Sequence, residues 1–288
     1  MFYKIAEFVF SIELSNKTAS TALLPNFEPF LLRDTIGLQQ NLLFRMVGNK
    51  ILETPPSVID DCFEWNETAY EVSHTVDNWF ISMVYGGKKH MLYSTHNWQY
   101  LYTDLTFTEK SDSVFLNNFL IIAFGMATAS KGVLKMHASV IEKEGNALLF
   151  LGESGTGKST HSRLWLQFIP GCTLLNDDEP IVRVHDDGTV WVYGSPWSGK
   201  TPCYRNIRAR VRAFVHLQQG PRNRLSSLSG RMALTSLFTS SCMMRNDDEN
   251  KNHIFTTIAD VLEQTPVYQL ECRPDYGAVC LTESLMDD

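Results

Sequence analysis

The feature that most constrains this chain is an eight-residue run, Gly152-Glu-Ser-Gly-Thr-Gly-Lys158-Ser159, which fits the phosphate-cradling pattern G-x-x-x-x-G-K-[ST]. Its surroundings fit too. Ala147–Leu151 reads ALLFL, an apolar run of the length of a buried strand, and a helix is expected from Lys158. Glycines let such a loop turn its backbone N–H groups toward an anion, and the helix N-terminus adds its dipole. Lys158 then supplies a mobile positive charge for the outer phosphates, and the Ser159 hydroxyl suits Mg²⁺. The expected nucleotide cradle therefore comprises Gly152, Glu153, Ser154, Gly155, Thr156, Gly157, Lys158, Ser159 and Thr160.

The rest of the chain limits what such a cradle can serve. At 288 residues there is room for a sizeable core and about two domains. A 44% hydrophobic, 20% charged composition is that of an ordinary soluble globular protein. The net charge of −7 argues against a general binder of nucleic acid or anionic membrane. The most apolar segment, Phe115–Ala127, carries Asn117 and Asn118 and reads as a buried helix rather than a membrane span. The N-terminal MFYKIAEFVF has Glu7 inside its apolar stretch and no small-residue cleavage site after it, so it reads as a first strand. The six cysteines show no C-x-x-C pair. A nucleotide-using chain without a signal belongs in a reducing compartment, so free thiols and a cytoplasmic location are expected.

Residues 1–110 read as a β-rich N-terminal domain, with strands over Tyr3–Leu14, Asn41–Val47, Ala69–Val76, Trp79–Tyr85, His90–Ser94 and Tyr100–Phe107. Gly86-Gly87 marks a hairpin turn. The scattered His74, His90 and His96, and Trp65, Trp79 and Trp98, suit surface or core roles better than a site. Residues 111–288 read as the nucleotide-binding domain. Helix Asp112–Ala129 leads to a hairpin, Lys135–Glu142 and Asn146–Leu151, then a helix over Lys158–Phe168 and a short strand Cys172–Leu175. A second hairpin pairs Ile181–Val184 with Thr189–Tyr193. Beyond it come strand Ala209–Leu217, helix Arg231–Met243, a charged linker Arg245–Asn252, helix Ile254–Glu263, strand Val267–Cys272 and a helix beginning near Asp275.

Three features near the loop carry chemistry. Asp177-Asp178 comes eighteen residues after Ser159, at the end of the next strand. A phosphate-loop enzyme needs a carboxylate there to hold the metal, and an adjacent pair permits the second to accept a proton from an attacking hydroxyl. A solvated acidic turn is the simpler alternative. His137, on the strand paired with the one feeding the loop, suits either a structural place or the metal and γ-phosphate region. Trp197-Ser-Gly-Lys200 with Arg205 and Arg208 is the candidate second anion site, centred on Lys200 and Arg205, or else a solvated basic turn.

The ordered set Met136-His137-Ala-Ser, G-E-S-G-T-G-K-S-T and L-L-N-Asp177-Asp178-Glu179 resembles the nucleotide-binding core of ATP-dependent phosphoenolpyruvate carboxykinase and of the related HPr kinase/phosphorylase. The resemblance covers about residues 133–200, a quarter of the chain. It implies an α/β, mixed-sheet, phosphoenolpyruvate carboxykinase-like domain following the N-terminal β-rich domain, with ATP and Mg²⁺ (or Mn²⁺) as cofactors. By matching position, Lys158 is the loop lysine, Ser159 and Asp178 the metal ligands, Asp177 the base, and His137 a histidine near metal and substrate. The departures are as informative. Carboxykinases are far longer, and HPr kinases carry an acidic residue where this chain has Thr160. The Trp197–Lys200 pattern is closer to HPr-kinase-related proteins of biosynthetic gene cassettes, including serine kinases that modify peptides. The expectation is an ATP-dependent kinase moving a γ-phosphoryl group to a hydroxyl of a protein, peptide or small-molecule acceptor. The rival is an ATP-binding regulatory or assembly protein, with carboxykinase activity disfavoured by length. No nucleic-acid or membrane partner is expected, and homo-oligomerisation stays open.

Overall fold

The computed structural model describes residues 1–13, 22–34, 41–52, 58–65, 67–199, 201–242 and 247–286. It is a mixed α/β chain with two sheets, in two compact units. Met1–Thr128 forms the body of one, and Ala129–Met243 with Glu249–Asp288 forms the other. The division falls after the first long helix, whereas the sequence pattern places it near residue 110.

In the first unit nine strands make one sheet: β1 (Phe2–Ile5), β2 (Phe8–Glu13), β3 (Leu31–Leu32), β4 (Arg45–Val47), β5 (Asp61–Trp65), β6 (Thr68–His74), β7 (Asn78–Tyr85), β8 (Lys88–Thr95) and β9 (Tyr100–Thr103). Their order is β3-β1-β2-β4-β9-β8-β7-β6-β5. Helix α1 (Asp112–Thr128) belongs to this unit. The segment Asp112–Lys131 is long and apolar enough to cross a membrane by length and composition. Its side chains are nonetheless spent on the sheet. Phe124 meets Phe8 and Phe10 edge-on, and Phe115 meets Tyr85 and His90. Asn117 accepts from the Asn26 amide at 2.7 Å and Asn118 from the Tyr70 hydroxyl at 2.8 Å. The two asparagines are thus partnered within the unit, as buried polar groups must be.

The second unit carries β10 (Val133–Lys135), β11 (Ala138–Lys143), β12 (Asn146–Leu151), α2 (Lys158–Phe168), β13 (Thr173–Asp178), β14 (Ile181–Val184), β15 (Val190–Tyr193), β16 (Arg208–Gln219), β17 (Arg224–Leu228), α3 (Gly230–Ser240), α4 (Asp248–Gln264), β18 (Val267–Cys272) and α5 (Tyr276–Glu283). The sheet runs β10-β14-β15-β16-β12-β11-β13, with β18 also on β16 and β17 on β18. Both faces are covered. Leu149, Leu151, Phe214, Leu237 and Ile258 fill one core, while Leu148, Phe150, Trp165, Val215 and Val279 fill the other. Alternate residues of β12 therefore serve opposite cores, which is why its sequence is apolar without interruption.

The elements differ from the sequence pattern in several places: Tyr3–Leu14 is the two strands β1 and β2, Lys135–Glu142 is divided between β10 and β11, and β5 is an added strand. β13 runs on to Asp178, so the acidic pair ends the strand rather than following it. β17 is an added strand. The expected linker 245–252 is helical from Asp248 onward, because its charged residues lie along the outside of α4 while Asn250, Ile254 and Ile258 are buried.

The connection order decides where the site forms. β11 pairs antiparallel with β12 on one side and with β13 on the other. β12 and β13 therefore point the same way, and β11 starts where they end. Ser139 lies opposite both Phe150 and Asp177, and Ala138 opposite Asp178. The loop after β12, the acidic end of β13 and His137 at the start of β11 are brought to one edge of the sheet. β16 and β18 run parallel to β12 and end on that same edge. Ligands of open α/β sheets characteristically bind at such carboxyl ends.

Candidate functional site

The loop between β12 and α2 is shaped by its glycines. Gly152 has φ 136°, and a Cβ there would stand 2.8 Å from the Thr156 hydroxyl, so a side chain is excluded both by conformation and by space. Thr156 closes the turn by donating to the Glu153 carbonyl at 2.8 Å. Gly157, at φ 106°, is the N-cap of α2, and no side chain caps that helix. Its first N–H groups are the orphan donors that a helix end presents to an anion. Ser154 and Thr160 are exposed at the loop and on the first turn.

Lys158 is turned inward and 8% exposed. Its ammonium donates to the carbonyls of Gly152 (2.8 Å) and Glu153 (3.1 Å) and stands 2.9 Å from His137 Nε2. The other nitrogen of that ring, Nδ1, lies 2.8 Å from Asp178 Oδ1. The Ser159 hydroxyl donates to Asp177 Oδ1 at 3.0 Å. The catalytic and metal residues read from the sequence are therefore brought together in two bonded sets that are neighbours along the chain: Lys158 to His137 to Asp178, and Ser159 to Asp177. Burial lowers the Lys158 pKa against the opposing pull of Asp178 and Asp177. The hydrogen bond from His137 holds the Asp178 carboxyl below its ordinary value.

The acidic end of β13 is stapled from behind. Asn176 is fully buried; its amide donates to the Trp197 carbonyl at 3.0 Å and its carbonyl accepts from the Glu179 N–H at 3.0 Å. The 194–199 loop then covers the pair. Gly199 N–H and the Ser198 hydroxyl both donate to the Asp177 carbonyl, at 2.8 and 3.0 Å. A Cβ on Gly199 would stand 3.0 Å from Asp178 Oδ2, so the loop's glycine is there to let the carboxylate pass. Asp178 itself has φ 111°, a conformation that costs a non-glycine residue of order 1–3 kcal/mol and concentrates at functional sites.

Beside this cluster Lys135 is ion-paired with Glu179, their side chains 11% and 7% exposed. The pair joins the strand that precedes His137 to the residue that follows Asp178, and Met136 N–H donates to the Pro180 carbonyl at 3.1 Å. Sequence reading left both charges without a role. The signal was the spacing of Lys135 and His137, two apart on one extended segment, and of Asp177 and Glu179.

Of the two residues on which the second anion site is expected to centre, Arg205 is among the described residues. Arg205 donates to the Thr173 hydroxyl at 2.9 Å and the Leu174 carbonyl at 2.6 Å. That is the start of β13, the opposite end from the acidic pair and about 13 Å away at 3.3 Å per residue. Arg205 there braces a strand. Lys200 lies outside the described residues. Arg208, at the start of β16, stacks over Trp191 of the neighbouring β15 at 4.5 Å.

The donors at the acidic end suit a hard divalent cation. Ser159, Asp177 and Asp178 offer oxygens, and donor atoms of His137, Asp178 and Glu179 fall within 4.8 Å of one another. Oxygen donors with one imidazole fit Mg²⁺ or Mn²⁺, although the Glu179 carboxylate is already taken by Lys135.

No family model matches the chain, and no curated protein matches it. Among the solved structures it matches is the HPr(Ser) kinase/phosphatase from Coxiella burnetii, at 13% identity and a TM-score of 0.30, covering 53% of this chain and 93% of that one.

Proposed function

We propose that this chain is an ATP-dependent phosphotransferase of HPr-kinase-like type, moving the γ-phosphoryl group to a hydroxyl of a protein, peptide or small-molecule acceptor. The observation that carries the reading is the pair of adjacent bonded sets, Lys158–His137–Asp178 and Ser159–Asp177, at the mouth of an uncapped helix. A phosphate-binding loop needs the lysine and the helix end. A transferase also needs a carboxylate beside the metal and a proton acceptor near the γ-phosphate.

The triphosphate lies on Gly152–Thr160, with Lys158 leaving its carbonyl partners to neutralise the outer phosphates. Mg²⁺ or Mn²⁺, when bound, offsets the charge that develops on the transferring phosphoryl group. Motif position gives Asp178 to that cation and Asp177 to the proton. The two hydrogen bonds favour the opposite division. Asp177 shares the Ser159 hydroxyl and so belongs with it on the cation, while the His137–Asp178 pair receives the acceptor's proton as its oxygen bonds to phosphorus and ADP departs. The chemistry is positioning and electrostatics, so losing the lysine charge costs at least about a hundredfold in rate. Phosphoryl transfer from labelled ATP to components of a cell extract, measured for Lys158→Ala, tests this. Near wild-type labelling by that variant would sink the assignment.

A further inference from the structure

On the side of the phosphate loop away from Asp177 and Asp178 lies an open depression of about 640 Å³. Its walls are Glu153 and Thr156 of the loop, His216, Gln218 and Gln219 at the end of β16, and Gln269 of β18. Strand pairing creates it. Leu151, the last residue before the loop, is beside His216, and His216 is beside Gln269. The glutamines are tied to their surroundings: Gln219 donates to the Gly155 carbonyl at 3.2 Å, and Gln269 donates to Gln218. His216 stands 2.9 Å from the Ser236 hydroxyl, and burial lowers its pKa.

We infer that this depression receives the nucleoside end of the nucleotide, with Gln218, Gln269 and His216 as its hydrogen-bonding contacts. The inference rests on the nucleotide reading above and deepens it. In sheet order the acidic pair is on β13 and the depression on β16 and β18, with the loop's own strand between them. A triphosphate held by Lys158 with its γ-phosphate toward the acidic side must send its sugar and base the other way. The lining suits that end. Primary amides present both donors and acceptors to a base edge, and Glu153 can accept from ribose hydroxyls while repelling a second anion. The volume lies within the usual range for small-molecule sites. Because the depression is open, it covers the nucleoside only in part, and its contribution to affinity is moderate.

The test compares ATP with inorganic tripolyphosphate, which keeps the phosphates and lacks the nucleoside, by calorimetric titration of the full chain with Mg²⁺. The Gln218→Ala/Gln269→Ala variant is expected to weaken ATP about tenfold, the loss of one or two hydrogen bonds, and to leave tripolyphosphate within about twofold. Equal weakening of both ligands, or of neither, overturns the inference. Gln269→Asn, which keeps the amide and disturbs packing least, should shift ATP alone in the same direction by a smaller factor. A Lys158→Ala variant that still binds tripolyphosphate like wild type would instead bring down the phosphate-loop reading, and the inference with it.

Discussion

The two flanks of the 152–159 loop are built from opposite materials. Toward β11 and β13 stand five ionisable groups bonded in pairs, His137 with Asp178, Lys135 with Glu179, and Asp177 with Ser159. Toward β16 and β18 stand three glutamines and a histidine, His216, whose pKa burial lowers. Both flanks end at the same sheet edge, so position alone does not distinguish them. Under the proposed function, the difference is in what each side must stabilise. Charge that moves during a reaction is best met by fixed charges and dipoles, which need no reorganisation. A group that only has to be held is adequately met by amides. The buried charges also carry a penalty that a merely stable fold avoids, since buried ion pairs are often no better than apolar neighbours of the same volume.

The largest effect expected from breaking this contrast is on the acidic flank. Asp177→Asn and Asp178→Asn should each lower the transfer rate by about 10²–10⁴-fold, yet in separable ways. With Asp177 on the cation, its variant should be partly rescued by raising Mg²⁺ or Mn²⁺. The Asp178 variant should stay slow at saturating metal. Rate measured against metal concentration separates them, and the reverse pattern of rescue would restore the motif-based division of roles. Substituting the glutamines should leave the rate at saturating ATP nearly unchanged, so a comparable rate loss there would erase the contrast.

A smaller but still large effect concerns stability. Lys135→Met leaves the Glu179 carboxylate buried without its partner, which typically costs about 3–5 kcal/mol. Adding Glu179→Gln removes the stranded charge and should recover most of that loss. Urea unfolding of the single and double variants checks it. If the double variant stays as unstable as the single one, the pair matters for shape rather than for matched charge.

What the sequence disclosed follows from how local each signal is. The loop is eight contiguous residues, and its strand is recognisable because both faces of β12 are buried. The acidic pair is legible because it closes the next strand. The bond between His137 and Lys158, residues 21 apart, requires β11 to be inserted antiparallel between β12 and β13, which no local pattern announces. The glutamine flank was invisible for the same reason. Gln218 and Gln269 are 51 residues apart and meet only through the parallel pairing of β16 and β18. The bonds of the Arg205 guanidinium to strand-end groups were not legible, because they join residues about thirty positions apart. β17, Arg224-Leu-Ser-Ser-Leu228, lacked apolar alternation because it pairs only with β18 and lies at the sheet margin.

The helix behind the loop offers a last and smaller test of the contrast, through a histidine with no carboxylate beside it. His161 is 3% exposed on α2, packs edge-on against Phe150 and stands 3.3 Å from the Thr282 hydroxyl. Burial pushes its pKa down from 6.5 to about 4. The folded state therefore refuses a proton that the unfolded chain accepts. This neutral histidine contributes its full stability above about pH 6.5, and that contribution is lost as the pH falls toward 4. Over that window the loss is about 3 kcal/mol, at 1.36 kcal/mol per pKa unit. His161→Gln keeps a hydrogen-bonding partner for Thr282 but cannot titrate. Urea midpoints at pH 7 and pH 5 should thus fall further for the native chain than for the variant. Equal falls would mean that His161 takes up its proton in the folded state.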